Sequence, residues 1–133
     1  MRYKAHSWML SLALLLSRSS AYAHHSFAAE YDSDKPVQIT GTVTKAEWTN
    51  PHVRFYVDVK NAQGEVVNWN IELGPPLILR HLGWRQDSLK TGDQVTIEGY
   101  LAKDHSNLAN AKKVTLADGR SIFAGSSAEK RRE

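Results

Sequence analysis

Two adjacent histidines, His24 and His25, carry the clearest chemical signal in the sequence. They follow Ala21, Tyr22 and Ala23, and the small residues at both ends of this triplet fit an A-x-A cleavage site for export. Cleavage after Ala23 would make His24 the first residue of the mature chain. Its free α-amine and its imidazole, with ordinary pKa values of about 7.7–8.0 and about 6.5, both give up a proton readily to a competing metal ion. The pair therefore predicts a metal site at the processed N-terminus.

The chemistry of such a chelate favours copper. The amine and the ring of an N-terminal histidine can hold one ion together, and a third nitrogen from elsewhere would complete a T-shaped arrangement suited to Cu(II). Nitrogen ligands bind Cu(II) more tightly than the other first-row divalent ions. His25 offers a second mode, through the amine, the intervening amide and its own ring. In the alternative interpretation both histidines are solvated and bind nothing.

Two further histidines stand in predicted loops. His52 follows an Asn-Pro turn signal in EWTNPHV (47–53), and we expect it to be the third ligand, although packing in the turn is the simpler interpretation. Glu47 would supply an axial oxygen or orient an imidazole. His105 stands in KDHSN (103–107), which is predicted to join the last two strands. The candidate metal ligands are therefore four: His24, His25, His52 and His105.

The first 23 residues have the organisation of a secretory signal peptide. Arg2 and Lys4 precede an apolar run from Trp8 to Leu16, which is much shorter than the roughly 20 residues of a membrane-spanning helix. We therefore expect a periplasmic or secreted protein without a membrane span in its mature chain. A cut before Tyr22 and a buried N-terminal helix are the alternatives.

The amino-acid composition of the chain excludes several classes of function. Removing Arg2, Lys4 and Arg18 from the 17 Lys and Arg leaves 14, against 14 Asp and Glu, so the mature chain is near neutral. Proteins that bind nucleic acid are usually visibly basic, and we expect no nucleic-acid partner. There is no cysteine, so any metal must be held by nitrogen and oxygen. No hydrolytic triad or phosphate-binding glycine loop is legible, and we expect a monomeric binding module rather than an enzyme.

The elements that must position these histidines are strands. Alternation of apolar and polar residues predicts five of them, over 37–48, 53–60, 65–73, 94–102 and 108–120. The run GPPLILRHLGW (74–84) predicts one short helix, because prolines can open a helix but not sit inside a central strand. This order favours an all-β, five-stranded, OB-like Greek-key barrel with its helix between strands 3 and 4. A small open sandwich is the alternative.

The predicted domain organisation is simple. A signal peptide covers 1–23, an N-terminal extended segment 24–36, the barrel 37–120 and a polar tail 121–133. About 110 residues remain after cleavage, which is enough for one small domain with one core.

The mature chain resembles a bacterial family of small exported proteins known as a domain of unknown function, number 6152. The resemblance lies in AHHSFAAEYD, GTVTKAEWTNPHV, VVNWNIELGPP, LKTGDQVTIEGYLAKD and NAKKVTLADGR followed by FAGSS. It implies a small, OB-fold-like periplasmic protein. It brings no activity, ligand or catalytic residue with it, and a fold alone does not supply a function.

Three functions remain as hypotheses. The first, which we favour, is an exported module that binds Cu(II) through His24 with His25 and His52; no other cofactor is expected. The second is an OB-type module that binds a small molecule, a glycan or a periplasmic partner protein without metal. The third is a small copper oxidase-like enzyme on the same nitrogen ligands, for which the sequence indicates no substrate pocket.

Overall fold

The computed structural model describes residues 27–128. The predicted signal peptide over 1–23 and the histidines His24 and His25 lie outside the described residues. Residues 27–30 form a helical turn that leads directly into β1 (Tyr31–Glu47). No helix within 27–128 is long and apolar enough to cross a membrane.

The next two strands form the predicted hairpin. β2 (Arg54–Lys60) and β3 (Val66–Glu72) pair antiparallel, and the side chain of Asn61 organises the turn by accepting from the backbone N–H groups of Gln63 and Glu65. The alternate residues predicted to face inward do so: Phe55, Val57 and Ile71 are fully buried. The other face of the hairpin carries polar side chains.

A short helix and two more strands follow. Helix α1 (Pro76–His81) begins with proline in its first turn, and Gly83 follows its cap with a positive φ of 100°. This is the pattern predicted from the sequence, with proline at the start and glycine just past the end. β4 (Gln94–Ala102) and β5 (Leu108–Thr115) then pair antiparallel.

The sheet closes on itself. The strand order is β3-β2-β1-β4-β5, and β3 also pairs in parallel with β5, so that Asn70, Ile71 and Glu72 lie opposite Leu108, Ala109 and Asn110. A meander of three strands closed by a parallel pairing of the third and fifth is the topology of an OB barrel. The prediction of an all-β, OB-like fold is confirmed.

The first strand begins earlier than the alternation predicts. The sequence suggested a start at Val37, whereas the strand starts at Tyr31, which pairs with Ala102 on β4. The register shifts between Tyr31 and Pro36, and residues 33–36 are exposed. Because polar residues fill this irregular part of the strand, no period of two reveals it.

The C-terminal segment is also part of the fold. β5 ends at Thr115, a turn follows, and a sixth strand, β6 (Ser121–Phe123), pairs with β5. Ala124 then continues the pairing: it donates to the carbonyl of Lys112 (2.9 Å) and accepts from the amide of Gly74 (2.7 Å). The prediction of a polar tail from residue 121 is therefore wrong for 121–126, because backbone hydrogen bonds pair 121–124 with the barrel and Ile122 packs against its core.

Two apolar clusters stabilise the barrel. The main core fills its interior and includes Val43, Phe55, Ile71, Leu79, Trp84 and Ile97. A smaller cluster at one end joins Phe27, Tyr31 and Ala102, with Tyr100 packed edge-on against Phe27 at 5.8 Å between ring centroids. This second cluster anchors residues 27–31 to the barrel.

Candidate functional site

A cavity of about 120 Å³ opens at the end of the barrel where β3 meets α1. One part of its wall is polar and the other is apolar. It is lined by Phe27, His52, Glu72, Leu73, Gly74, Pro75, Ile78, Asn110, Gly125, Ser126 and Ser127. Five separate parts of the chain meet here: the N-terminal turn, His52 in the loop before β2, the end of β3 with α1, Asn110 on β5, and the segment after β6.

The register of three strands places the polar wall. Arg54 on β2 lies opposite Glu72 on β3, and Glu72 lies opposite Asn110 on β5. The row lies on the outer side of the barrel, because the neighbouring residues Ile71 and Ala109 point into the core. Residues 124–128 and the N-terminal turn cover this row, which explains why Glu72 and Asn110 are buried.

Glu72 is the centre of the polar wall. Its side chain is 7% exposed and pairs with the guanidinium of Arg54 through Oε2. Its Oε1 accepts a hydrogen bond from Nδ2 of Asn110 (3.2 Å). A buried carboxylate requires such partners, since loss of its hydration is otherwise uncompensated.

Asn110 links Glu72 to the C-terminal segment. The Ser126 hydroxyl donates to Oδ1 of Asn110 (2.6 Å) and accepts from the amide of Ala128 (3.2 Å). The Tyr31 hydroxyl, also buried, has no hydrogen-bond partner among residues 27–128. Burial, and then the negative charge of Glu72, raise the pKa of Tyr31 above the ordinary range of a phenol.

His52 contributes a partly exposed imidazole to this site. Its imidazole is 36% exposed, and Nδ1 lies 3.7 Å from Oε1 of Glu72. Within residues 27–128 it forms no hydrogen bond, whereas Glu72, Asn110 and Ser126 bond to one another. The cavity therefore presents one imidazole against a wall of polar groups that satisfy each other.

The N-terminal turn lies in the same electrostatic environment. Partial burial, and then the charge of Glu72, raise the pKa of Glu30, while Arg54 and His52 oppose the shift. The backbone carbonyl of Glu30 accepts from the amide of Lys103 (2.9 Å) at the end of β4. The N-terminal turn, His52 and the loop after β4 thus lie close together at one end of the barrel.

The structure separates some of the residues that the sequence grouped. Glu47, proposed as the orienting carboxylate, instead pairs with Lys45 and accepts from the Tyr56 hydroxyl (3.4 Å). The carboxylate beside His52 is Glu72. His105 is exposed in the loop between β4 and β5, with φ of 62°, and does not line the cavity. Among residues 27–128, no group of three or more His, Asp or Glu is placed to hold a metal ion.

Sequence reasoning missed most of the polar wall. In the observed register Lys60 lies opposite Val66, across a connection of five residues, and this places Arg54 opposite Glu72. The predicted hairpin brought the two strands together, but its shorter turn at 61–64 would have placed Arg54 opposite Ile71. The burial of Glu72 depends on β5 and on Ser126, which are about 40 and 50 residues further along the chain. No local pattern in the sequence encodes that contact.

The topology and the cavity together define a class: a small OB-type barrel with a partly polar cavity on its outer surface, beside the loop before β2. The sequence from residue 13 to residue 110 matches the family described as "Family of unknown function (DUF6152)". Because this match covers well over half of the chain, the chain belongs to that family. No curated protein matches it.

Solved structures with a related backbone include two proteins. The mitochondrial single-stranded DNA-binding protein Rim1 of S. cerevisiae is 14% identical, with a TM-score of 0.48, over 62% of this chain and 92% of that one. The dimeric N-terminal domain of PriB from Thermoanaerobacter tencongensis is 17% identical, with a TM-score of 0.41, over 63% of this chain and 97% of that one.

Proposed function

We propose that this chain is an exported OB-type module that binds Cu(II) at its processed N-terminus. The α-amine and imidazole of His24 supply two nitrogens, and the imidazole of His52 supplies the third. The observation that carries the proposal is the position of His52, which lines the same cavity as Phe27. Phe27 is only three residues after His24, so covalent geometry limits the distance between their Cα atoms to about 11 Å.

The bonding of the cavity wall supports an imidazole ligand. Arg54 and Asn110 already engage the Glu72 carboxylate, and Asn110 and Ser126 engage each other. The imidazole of His52, 36% exposed, lines the cavity and forms no hydrogen bond with the described part of the chain. A neutral imidazole is a strong ligand for Cu(II).

The other two candidate ligands, His25 and His105, have different roles in the proposal. His25 competes with His24 by chelating through the amine, the intervening amide and its own ring. His105 lies outside the cavity lining, and the proposal leaves it out. The role is binding rather than catalysis, and the module acts in the periplasm or outside the cell.

The test begins with the mass of the exported protein. A mass that corresponds to a start at His24 is required, and a start at Tyr22 or earlier would exclude chelation by the His24 amine. Cu(II) affinity is then measured by competition titration for the processed protein and for His52→Ala. We expect this substitution to weaken binding by at least about 10- to 100-fold, the range typical of losing a residue that only orients a ligand.

Matched controls separate ligation from general effects of removing a histidine. His81 is exposed on α1 and His105 is exposed in the β4–β5 loop. We expect His81→Ala and His105→Ala to leave the Cu(II) affinity unchanged. Unchanged affinity in His52→Ala would remove His52 from the site.

A second candidate function is supported by the cavity itself. Its wall joins polar Asn110 and Ser126 to apolar Phe27 and Ile78, the mixture of groups that ligand pockets use, and its volume of about 120 Å³ would hold one part of a larger ligand. Under this alternative, the metal-free protein binds a small molecule or a glycan there. Nanomolar binding of an oligosaccharide by the metal-free protein would favour it, provided that the Cu(II) affinity is no higher than that of a chain with one additional glycine before His24.

A further inference from the structure

We infer that Glu72 is the positioning residue for His52. In this role it holds the neutral imidazole in the form protonated at Nδ1, so that Nε2 is the nitrogen free to bind a ligand. The inference about the ring stands on the described residues. Its consequence for copper rests on the proposed function.

The imidazole of His52 approaches the Glu72 carboxylate through Nδ1. Nδ1 of His52 lies 3.7 Å from Oε1 of Glu72. This separation is longer than a hydrogen bond, so the interaction acts through charge. A proton on Nδ1 places partial positive charge near the carboxylate, whereas an unprotonated Nδ1 would place its lone pair there. The carboxylate therefore favours the Nδ1–H form.

The Glu72 carboxylate is held in a fixed position. Glu72 is 7% exposed, and its two oxygens are engaged by Arg54 and by Asn110. Asn110 is in turn held by Ser126. A carboxylate fixed on both oxygens has a defined direction, and its ion pair with Arg54 keeps it ionised although it is buried. The imidazole therefore meets a fixed negative charge.

The position of the imidazole proton decides which nitrogen of His52 can bind a ligand. The protonated nitrogen of a neutral imidazole does not bind a metal ion, and the nitrogen that binds is set by what the other one faces. With Nδ1 directed at Glu72, the lone pair is on Nε2. Carboxylates that orient ligating histidines in this way typically change metal affinity by 10- to 100-fold when they are removed.

The test uses NMR of the imidazole nitrogens in the ¹⁵N-labelled, metal-free protein. The spectra are recorded at about pH 9, above the ordinary imidazole pKa of about 6.5. We expect His52 to be mainly in the Nδ1–H form, although the Nε2–H form prevails in free imidazole side chains. A His52 ring that is mainly in the Nε2–H form would overturn the inference.

Glu72→Gln removes the charge while keeping the shape of the side chain. We expect it to move the His52 ring toward the Nε2–H form. A folded Glu72→Gln protein in which the ring keeps the wild-type form would also overturn the inference. The matched control is Glu47→Gln, a carboxylate engaged with Lys45 and Tyr56, for which we expect no change at His52.

Copper affinity separates this inference from the proposed function. We expect Glu72→Gln to weaken Cu(II) binding by about tenfold or more and Glu47→Gln to leave it unchanged. If the wild-type protein binds no copper but His52 is in the Nδ1–H form, the proposed function fails and the role of Glu72 stands. If copper binds and the ring is in the Nε2–H form, the proposed function stands and the role of Glu72 fails. Should Glu72→Gln not fold, the wild-type ring form alone decides.

Discussion

Glu72 and Arg54 form an ion pair that is mostly hidden from water, with side-chain exposures of 7% and 29%. Such pairs stabilise a protein little relative to an apolar replacement of both partners, because both charges lose hydration. Removal of one partner is different, since the other charge stays buried and uncompensated. Removing either residue alone therefore costs more stability than removing both.

We expect Arg54→Met to lower the free energy of unfolding by about 2–3 kcal/mol, because it leaves the Glu72 carboxylate without its cation. Adding Glu72→Gln should restore most of the loss. Arg80→Met, on the exposed side of α1, should change stability by less than about 0.5 kcal/mol. Urea unfolding of the four proteins measures this, and an Arg54→Met loss that Glu72→Gln does not relieve would contradict the argument.

Glu30 contributes a pH dependence. Burial and the charge of Glu72 raise its pKa in the folded state above the ordinary 4.5. The folded state thus holds this proton more tightly than the unfolded chain does. The resulting stabilisation is complete below pH 4.5 and disappears as the pH rises through the raised pKa.

Glu30→Gln should therefore stabilise the protein relative to wild type more at pH 7 than at pH 4. Thermal unfolding of both proteins at the two pH values measures the difference. An equal margin at both pH values, or a larger one at pH 4, would show that the Glu30 carboxyl is not destabilised by its surroundings.

At the level of single residues, the sequence predicted His52 as a group that faces a site, but it chose the wrong carboxylate. Glu47 is five residues away in the sequence, whereas Glu72 is twenty residues away. The pairing of β2 with β3 brings Glu72 close, and β5 and Ser126 bury it. Proximity in sequence was therefore a poor guide to the partner of this imidazole.

At the level of elements, periodicity succeeded where one face of a strand is apolar and the other is polar. β2, β3 and β4 were predicted to within one residue at each end. The method failed for the first residues of β1 and for β6. Both are stretches where backbone pairing persists without an alternating pattern of side chains.

The segment after β6 should stabilise the barrel measurably. A chain that ends at Phe123 lacks two backbone hydrogen bonds of Ala124 and the bond from Ser126 to Asn110. At about 1 kcal/mol each, we expect it to be about 3 kcal/mol less stable than a chain that ends at Ala128. Urea unfolding compares the two, and equal stabilities would mean that 124–128 adds nothing to the fold.

The irregular pairing of β4 with β5 depends on a glycine. A Cβ at Gly99 would lie 2.1 Å from the carbonyl oxygen of Asn110, and the register of the two strands shifts at this point. We expect Gly99→Ala to cost about 2–3 kcal/mol of stability, because a backbone atom must move to admit the methyl group. Gln38→Ala, exposed on β1, is the control and should cost under about 0.5 kcal/mol; a similar loss in both would contradict this reasoning.

At the level of the whole molecule, the barrel gathers distant parts of the chain at one end. The N-terminal turn, His52, the end of β3 and the segment after β6 all line the cavity. The order of strands and helix was enough to predict the barrel. The cavity was not predicted, because two of the segments that line it were assigned to an N-terminal extended segment and a polar tail.

The central claim is that the α-amine of His24 and the imidazole of His52 bind one Cu(II) ion. Its most direct test is a competition titration of two chains, one beginning at His24 and one with a single additional glycine before it. Both chains carry the same histidines, but only the first has a free amine on His24. The account predicts that the glycine weakens Cu(II) binding by at least about tenfold, or ~1.4 kcal/mol. Equal affinity of the two chains would contradict it.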